Sequence, residues 1–151
     1  MNDKKIIWKK GRGKLGIFKP LLGKWESESD SQMGKVICTR TFRPVLDGKY
    51  IQLEANWVYG KGAYDEKALI GTDAQGVVTF WSFTSDGKQS QGVLADVSDI
   101  HPHAIGFEAQ MPAGLGRMAY WPDETDGFHW MVESKTQKGW NRFVEHHYHP
   151  I

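Results

Sequence analysis

Arg40 is the residue whose chemistry and position stand apart in this chain. It sits in Val36-x-Cys38-x-Arg40-x-Phe42, an alternation whose other members are apolar. A strand built from that run aims a guanidinium toward the side meant for the core. A lone guanidinium in such a place costs several kcal/mol unless it is paired and hydrogen-bonded. Arg40 therefore requires an internal carboxylate, backbone carbonyls or an anionic ligand. The last of these would make it a binding residue, and the first two a structural one.

The other groups able to do chemistry are more scattered. His146, His147 and His149 crowd the C-terminus beside Glu145, and His101 and His103 flank Pro102. Alternating histidines on a strand can hold a metal or haem. This spacing matches no familiar ligand set, so the run reads as solvated, with neither metal nor cofactor expected. Glu108 and Glu133 would join Arg40 and interior tyrosines in acid–base chemistry if their strands turned them inward. An inward carboxylate would then need a raised pKa or a salt bridge. Gly11-Arg12-Gly13-Lys14 lacks the preceding strand and following Ser or Thr of a phosphate loop. With no nucleophile elbow, metal-hydrolase helix or placeable triad, no catalytic residue is assigned.

The elements that must position these groups are strands. Asp47-Gly48 between Val36–Val45 and Tyr50–Tyr59 is a strong hairpin signal. A two-residue turn there makes cross-strand partners sum to 95. Val36, Cys38, Arg40 and Phe42 then face Tyr59, Trp57, Ala55 and Leu53 on the core side, with Thr39, Thr41 and Arg43 outside. A slip of one residue would bury Thr41, Gln52, Glu54 and Asn56 instead. Further strands are expected around 69–72, 77–84, 89–97, 104–110, 117–121, 128–134 and 140–148, with 100–102 as a corner. After Leu22 no dozen residues show helical periodicity. Nine or ten short, evenly spaced strands indicate an all-β fold, a single closed antiparallel barrel. The aromatic excess, including seven Trp, either fills that barrel or lines a flat apolar pocket. On the second reading Arg40, Phe42, Leu53, Trp57, Tyr59 and Trp81 form the ligand-binding set.

Composition bounds the rest. A chain of 151 residues, 40% hydrophobic and 25% charged, is an ordinary single-domain, globular composition. The formal net charge of +1 hides an asymmetry. Eight of the 19 basic residues precede position 25, opposed there by Asp3 alone; the remaining 11 meet 17 acidic residues, a balance of −6. Residues 1–21 thus read as a basic arm and end plug, and residues 22–151 as the barrel. Such an arm suits an anionic surface, but packing on its own acidic body is the plainer reading; no nucleic-acid partner is expected. Ile17-Phe18-Lys19-Pro20-Leu21-Leu22 suggests a single turn or short helix plugging one barrel end. Cys38 is the one cysteine, so no internal disulfide exists. No window approaches a membrane-spanning run, and the cytoplasm is the default compartment. The oligomeric state, a homodimer included, stays open.

Gly23-x-Trp25, Val45-Leu46-Asp47-Gly48-Lys49-Tyr50, Leu69-Ile70-Gly71-Thr72-Asp73 and the closing Gly139-Trp140 with Glu145 and Tyr148 occur in order. Over roughly residues 20–149 this resembles an uncharacterised bacterial family of lipocalin-like (calycin) proteins. The resemblance implies a barrel with an internal cavity and carries over no catalytic residue. Gly23 would permit the tight entry and Trp25 would close one end, with Arg142 of the last strand over its indole as a cation–π lid. The expected function is binding of a small apolar or aromatic molecule in the cavity, with Arg40 there to hold an acidic group. A barrel enzyme and a ligand-free interaction module are the alternatives.

Overall fold

The computed structural model describes residues 8–32 and 34–151. Ten strands follow one short 3-10 turn, Gly16–Leu21. They are β1 (Gly23–Ser31), β2 (Gly34–Val45), β3 (Tyr50–Tyr59), β4 (Gly62–Thr72) and β5 (Val78–Thr84). The second half comprises β6 (Gln89–Ala95), β7 (Ile105–Met111), β8 (Gly114–Pro122), β9 (Phe128–Thr136) and β10 (Gly139–Pro150). Each strand pairs antiparallel with its sequence neighbours, and β1 closes the circle against β10. The expected all-β, single closed antiparallel barrel is what the chain forms. Its closing seam is short, with Trp25 opposite Pro150 and Glu26 opposite His149.

The first hairpin has the expected register, from Val36 opposite Tyr59 to Val45 opposite Tyr50. Its turn is longer than the two residues expected. Leu46–Lys49 connect the strands, with Leu46, Asp47 and Gly48 at φ of 52°, 58° and 73°. The Gly48 N–H donates to the Val45 carbonyl (3.1 Å) and the Lys49 N–H to that of Leu46 (3.2 Å). These overlapping turns satisfy both carbonyls, which sustains a left-handed conformation that a leucine seldom adopts. Adding one residue to each side of the turn leaves the sum of partners at 95, so every side chain keeps its face.

Strand alternation then divides the interior into two halves. At one end Phe18 and Leu21 of the 3-10 turn are fully buried, and Phe18 stacks on Phe107 at 5.7 Å. Phe42, Leu53, Ile70, Ile105 and Phe128 complete that packed end. Each such side chain contributes about 1.5–3 kcal/mol through removal of apolar surface from water. Residues 8–15 continue this packing rather than standing off: Trp8 and Leu15 lie against the core, and the Lys14 ammonium donates to the Gly76 carbonyl at 3.2 Å. Residues 1–7 of the expected basic arm lie outside the described residues. A smaller core lies outside the barrel wall, where Val97 of the 96–104 loop packs on Ala119 and Met131. Gly106 lets that loop approach, since a Cβ there would sit 2.6 Å from Val97 Cγ1.

Among the described residues no helix is long and apolar enough to cross a membrane.

Candidate functional site

Opposite the plugged end the barrel interior is open. A cavity of about 550 Å³ lies among Arg40, Trp57, Tyr64, Glu66, Phe80 and Trp130, widening past Phe107, Met111, Met118, Val132 and Val144 toward the mouth. Its polar floor follows from register. Arg40 is opposite Ala55 on β3, and Ala55 is opposite Glu66 on β4. The small middle residue leaves room for the two long side chains to reach toward each other above it.

They meet incompletely. Arg40 is 1% exposed, yet its Nη2 lies 3.7 Å from Glu66 Oε1, too far for a hydrogen bond. Glu66 accepts instead from the Ser82 hydroxyl through Oε2. Arg40 Nε and Nη1 have no hydrogen-bond partner among the described residues. The guanidinium lies over the Trp130 ring at 4.1 Å, with the Tyr148 and Tyr120 rings at 5.5 and 5.8 Å. Stacking on these rings supplies part of what hydration did, but it leaves the N–H donors unused.

The surrounding polar atoms share that condition. Trp57 Nε1, Trp130 Nε1, the Tyr120 and Tyr148 hydroxyls and His146 Nδ1 are buried and unpartnered among the described residues. The Trp57 N–H and the Tyr148 hydroxyl approach one another without reaching hydrogen-bonding geometry. Burial works against charge on Arg40, but its electrostatic surroundings more than compensate and hold it as a cation. Burial pushes the Tyr148 phenol up to about 12, and it raises Tyr120 as well. Burial, aided by Arg40, lowers His146 from its ordinary value, so that imidazole is neutral at pH 7. Burial also raises the Cys38 thiol, which keeps it unreactive. The floor thus combines one cation and neutral donors with unused N–H and O–H groups among the described residues, with the Glu66 carboxylate at one side, 3.7 Å from the guanidinium. Such a floor matches a group that is rich in oxygen acceptors and negatively charged.

The residues expected to line the site divide. Arg40 and Trp57 line the cavity. Phe42 and Leu53 face inward but belong to the packed core. Phe42 stands edge-on to Tyr120 at 5.6 Å. Tyr59 shares the inward parity, and its ring covers Gly62, where a Cβ would lie 2.7 Å from Cε2. Trp81 is on the other face: β5 turns Phe80 and Ser82 inward, and Trp81 packs against Tyr50 at 6.4 Å.

Gly23 takes φ +126° at the strand entry. Trp25 donates its Nε1–H to the Leu21 carbonyl at 2.8 Å and meets Phe128 edge-on at 4.8 Å. Arg142 is not its lid. Residue 142 is opposite Glu133 on the outward face, ahead of a bulge that shifts the β10 register. Its guanidinium binds Glu133 at 2.9 Å and Glu145 at 2.5 Å, and lies 5.2 Å from the Trp121 ring.

Nor do Glu108 and Glu133 enter the barrel. Glu108 pairs across the sheet with Val93 and Arg117, one position off the inward Phe107. Glu133 is 5% exposed beneath Arg117 and Arg142 on the outer wall, with Arg117 Nε at 2.8 Å. The carboxylate that reaches Arg40 is Glu66, which sequence reasoning missed. Tyr64-Asp65-Glu66-Lys67 is too polar to mark a strand beginning, although Tyr64-x-Glu66-x-Ala68-x-Ile70 carries the inward alternation of β4.

Fold and floor together define a closed ten-stranded barrel with a half-open interior and a buried cation beneath it. No family model matches the chain, and no curated protein matches it in sequence.

Proposed function

We propose that this is a lipocalin-like, calycin-type barrel that binds a small molecule with an apolar or aromatic body and an acidic group. The acid is held by Arg40, with the indole N–H groups of Trp57 and Trp130, which line the same cavity, as neutral donors. The body lies along Phe80, Phe107, Met118 and Val132. The observation that carries this reading is the fully buried guanidinium, two of whose nitrogens have no partner among the described residues, beneath a cavity of about 550 Å³. That size falls within the range of ordinary ligand sites, and buried donors left unpaired in an unliganded protein are where affinity is gained on binding. The reading takes the protein as cytoplasmic, where the lone thiol of Cys38 needs no oxidised partner.

The test is a titration followed by tryptophan fluorescence, since Trp57 and Trp130 line the cavity. Medium-chain fatty acids and aryl carboxylates are each compared with the corresponding alcohol. The acids are expected to bind at least about tenfold more tightly, as one charge-assisted hydrogen bond is worth about 1.5–3 kcal/mol. Equal affinity for acid and alcohol would remove Arg40 from ligand recognition. No binding in either series would remove the proposal.

A further inference from the structure

Three imidazoles and two carboxylates converge on the outer wall at the plugged end, away from the cavity. His129 on β9 is directly opposite His147 on β10, and their rings stack at 4.8 Å. His149, two residues along, lies against His147 with ring centroids 4.1 Å apart and the planes tilted by 47°. The 123–127 loop between β8 and β9 folds over this row. Gly127, at φ +65°, lets the loop sit on β10, since a Cβ there would collide with the Tyr148 carbonyl.

Asp123 is fixed from behind. Its Oδ2 accepts from the Thr125 N–H at 2.9 Å and the Thr125 hydroxyl at 2.6 Å, while Oδ1 lies 2.7 Å from His129 Nε2. His147 Nε2 is 3.6 Å from Asp123 Oδ2.

We infer that Asp123, His129 and His147 form a binding site for a divalent first-row transition ion of the zinc class. One donor atom from each of the three lies within 4.8 Å of the other two. Ligand atoms about 2.0–2.2 Å from a tetrahedral zinc are separated by about 3.3–3.5 Å, so small side-chain adjustments close the set. Two imidazoles and a carboxylate favour zinc, nickel, cobalt or copper over calcium and magnesium, which take oxygen ligands. Here Nε2 of His129 lies against the Asp123 carboxylate and Nε2 of His147 donates to the Asp126 carbonyl at 2.9 Å; the metal would replace both bonds, each imidazole shifting to the neutral tautomer that carries its proton on Nδ1. The Thr125 contacts orient the carboxylate as an outer shell does in built metal sites. With three protein ligands the fourth position faces solvent.

Asp126, His147 and His149 make a second set that shares His147. Its own members are more exposed: 48% for Asp126 and 52% for His149, against 17% for Asp123 and 25% for His129. The inner set is thus the better pre-organised. Occupation would tie the 123–127 loop to β9 and β10 next to the short β1–β10 seam, and so would stabilise the closed barrel by mass action.

The experiment uses the tag-free full chain and Zn²⁺ alone, by calorimetric titration, with Co²⁺ absorption reporting a four-coordinate nitrogen and oxygen environment. One equivalent is expected to bind, with a rise in melting temperature that chelator reverses. H129Q and D123N are each expected to weaken binding by about 100-fold or more, at the upper limit of what losing an outer-shell partner costs. H149A is expected to retain binding within a few-fold. Near-ultraviolet circular dichroism in chelator checks that each variant folds, and D123N, which also belongs to the inner set alone, serves if H129Q does not. Absence of binding to the wild-type chain at 100-fold excess Zn²⁺ overturns the inference. Loss of binding in H149A with retention in H129Q also overturns it, by moving the ion to the outer set.

Discussion

Replacing Arg40 with methionine separates a binding role from a structural one. The side chains are similar in length, so the substitution removes charge and donors while keeping most of the packing on Trp130. Two of the three guanidinium nitrogens make no hydrogen bond in the described protein, and the third is 3.7 Å from Glu66. Little is therefore lost from the unliganded fold when they go. Exchanging an imperfectly paired buried ion for an apolar side chain is commonly neutral or stabilising by about 1–4 kcal/mol. Glu66 is left behind, but Ser82 still donates to it and it is 16% exposed. Urea unfolding followed by tryptophan fluorescence should give a midpoint equal to or above wild type, with an unchanged slope. Carboxylate binding should meanwhile fall by about 3 kcal/mol, on the order of 100-fold, while the matching alcohols bind as before. Two results refute the reasoning. Carboxylate affinity unchanged in R40M means the acid does not reach Arg40. A loss of about 3–5 kcal/mol of stability means that Arg40 and Glu66 form a buried pair on which the fold depends.

Other consequences follow from the same contacts. Tyr148 remains neutral to about 12 instead of its ordinary 10.0. Because only the unfolded chain ionises it between those values, stability should fall by up to about 3 kcal/mol as pH rises from 10 to 12; Y148F should flatten that slope in alkaline denaturation. His146 has the opposite signature. Its pKa is lowered in the fold, so the unfolded chain takes up a proton first as pH drops below about 6.5, and stability declines there. H146N should reduce that decline in melting curves between pH 7.5 and 5. Leu21→Ala should cost about 2–5 kcal/mol in urea unfolding, because Leu21 is fully buried in the plugged end. Glu133→Gln should cost about 1–3 kcal/mol by the same measure, since Arg117, 6% exposed, loses its buried partner but keeps a bidentate pair with Asp99 at 2.9 and 3.1 Å.

Much of the architecture was legible from local pattern. Side chains alternate along a strand, so one hairpin with a clear core face determines which groups point inward wherever its register is held. Arg40, Ala55 and Trp57 were placed that way, and the longer turn at Leu46–Lys49 did not disturb them. The closed barrel likewise follows from short strands, frequent turns and no helical period. The plug at 16–21 was visible as an isolated apolar patch before the first strand.

What local pattern could not supply was anything that depends on a third strand or on a bulge. Glu66 reaches Arg40 because β3 carries a small residue between them, and nothing in the polar run 64–67 announces the strand. Trp81 looks like a pocket aromatic until the parity of β5 turns it outward. Arg142 leaves Trp25 because it pairs with Glu133 on the outer wall. Whether the interior is filled or hollow was beyond the sequence for the same reason: volume is a sum over ten walls. The alternation of β2 determined that a guanidinium points inward. Only the tertiary structure decided that it lies beneath an open cavity with unpaired donors around it, because that outcome depends on which side chains the distant strands β4, β5, β9 and β10 bring to the same level.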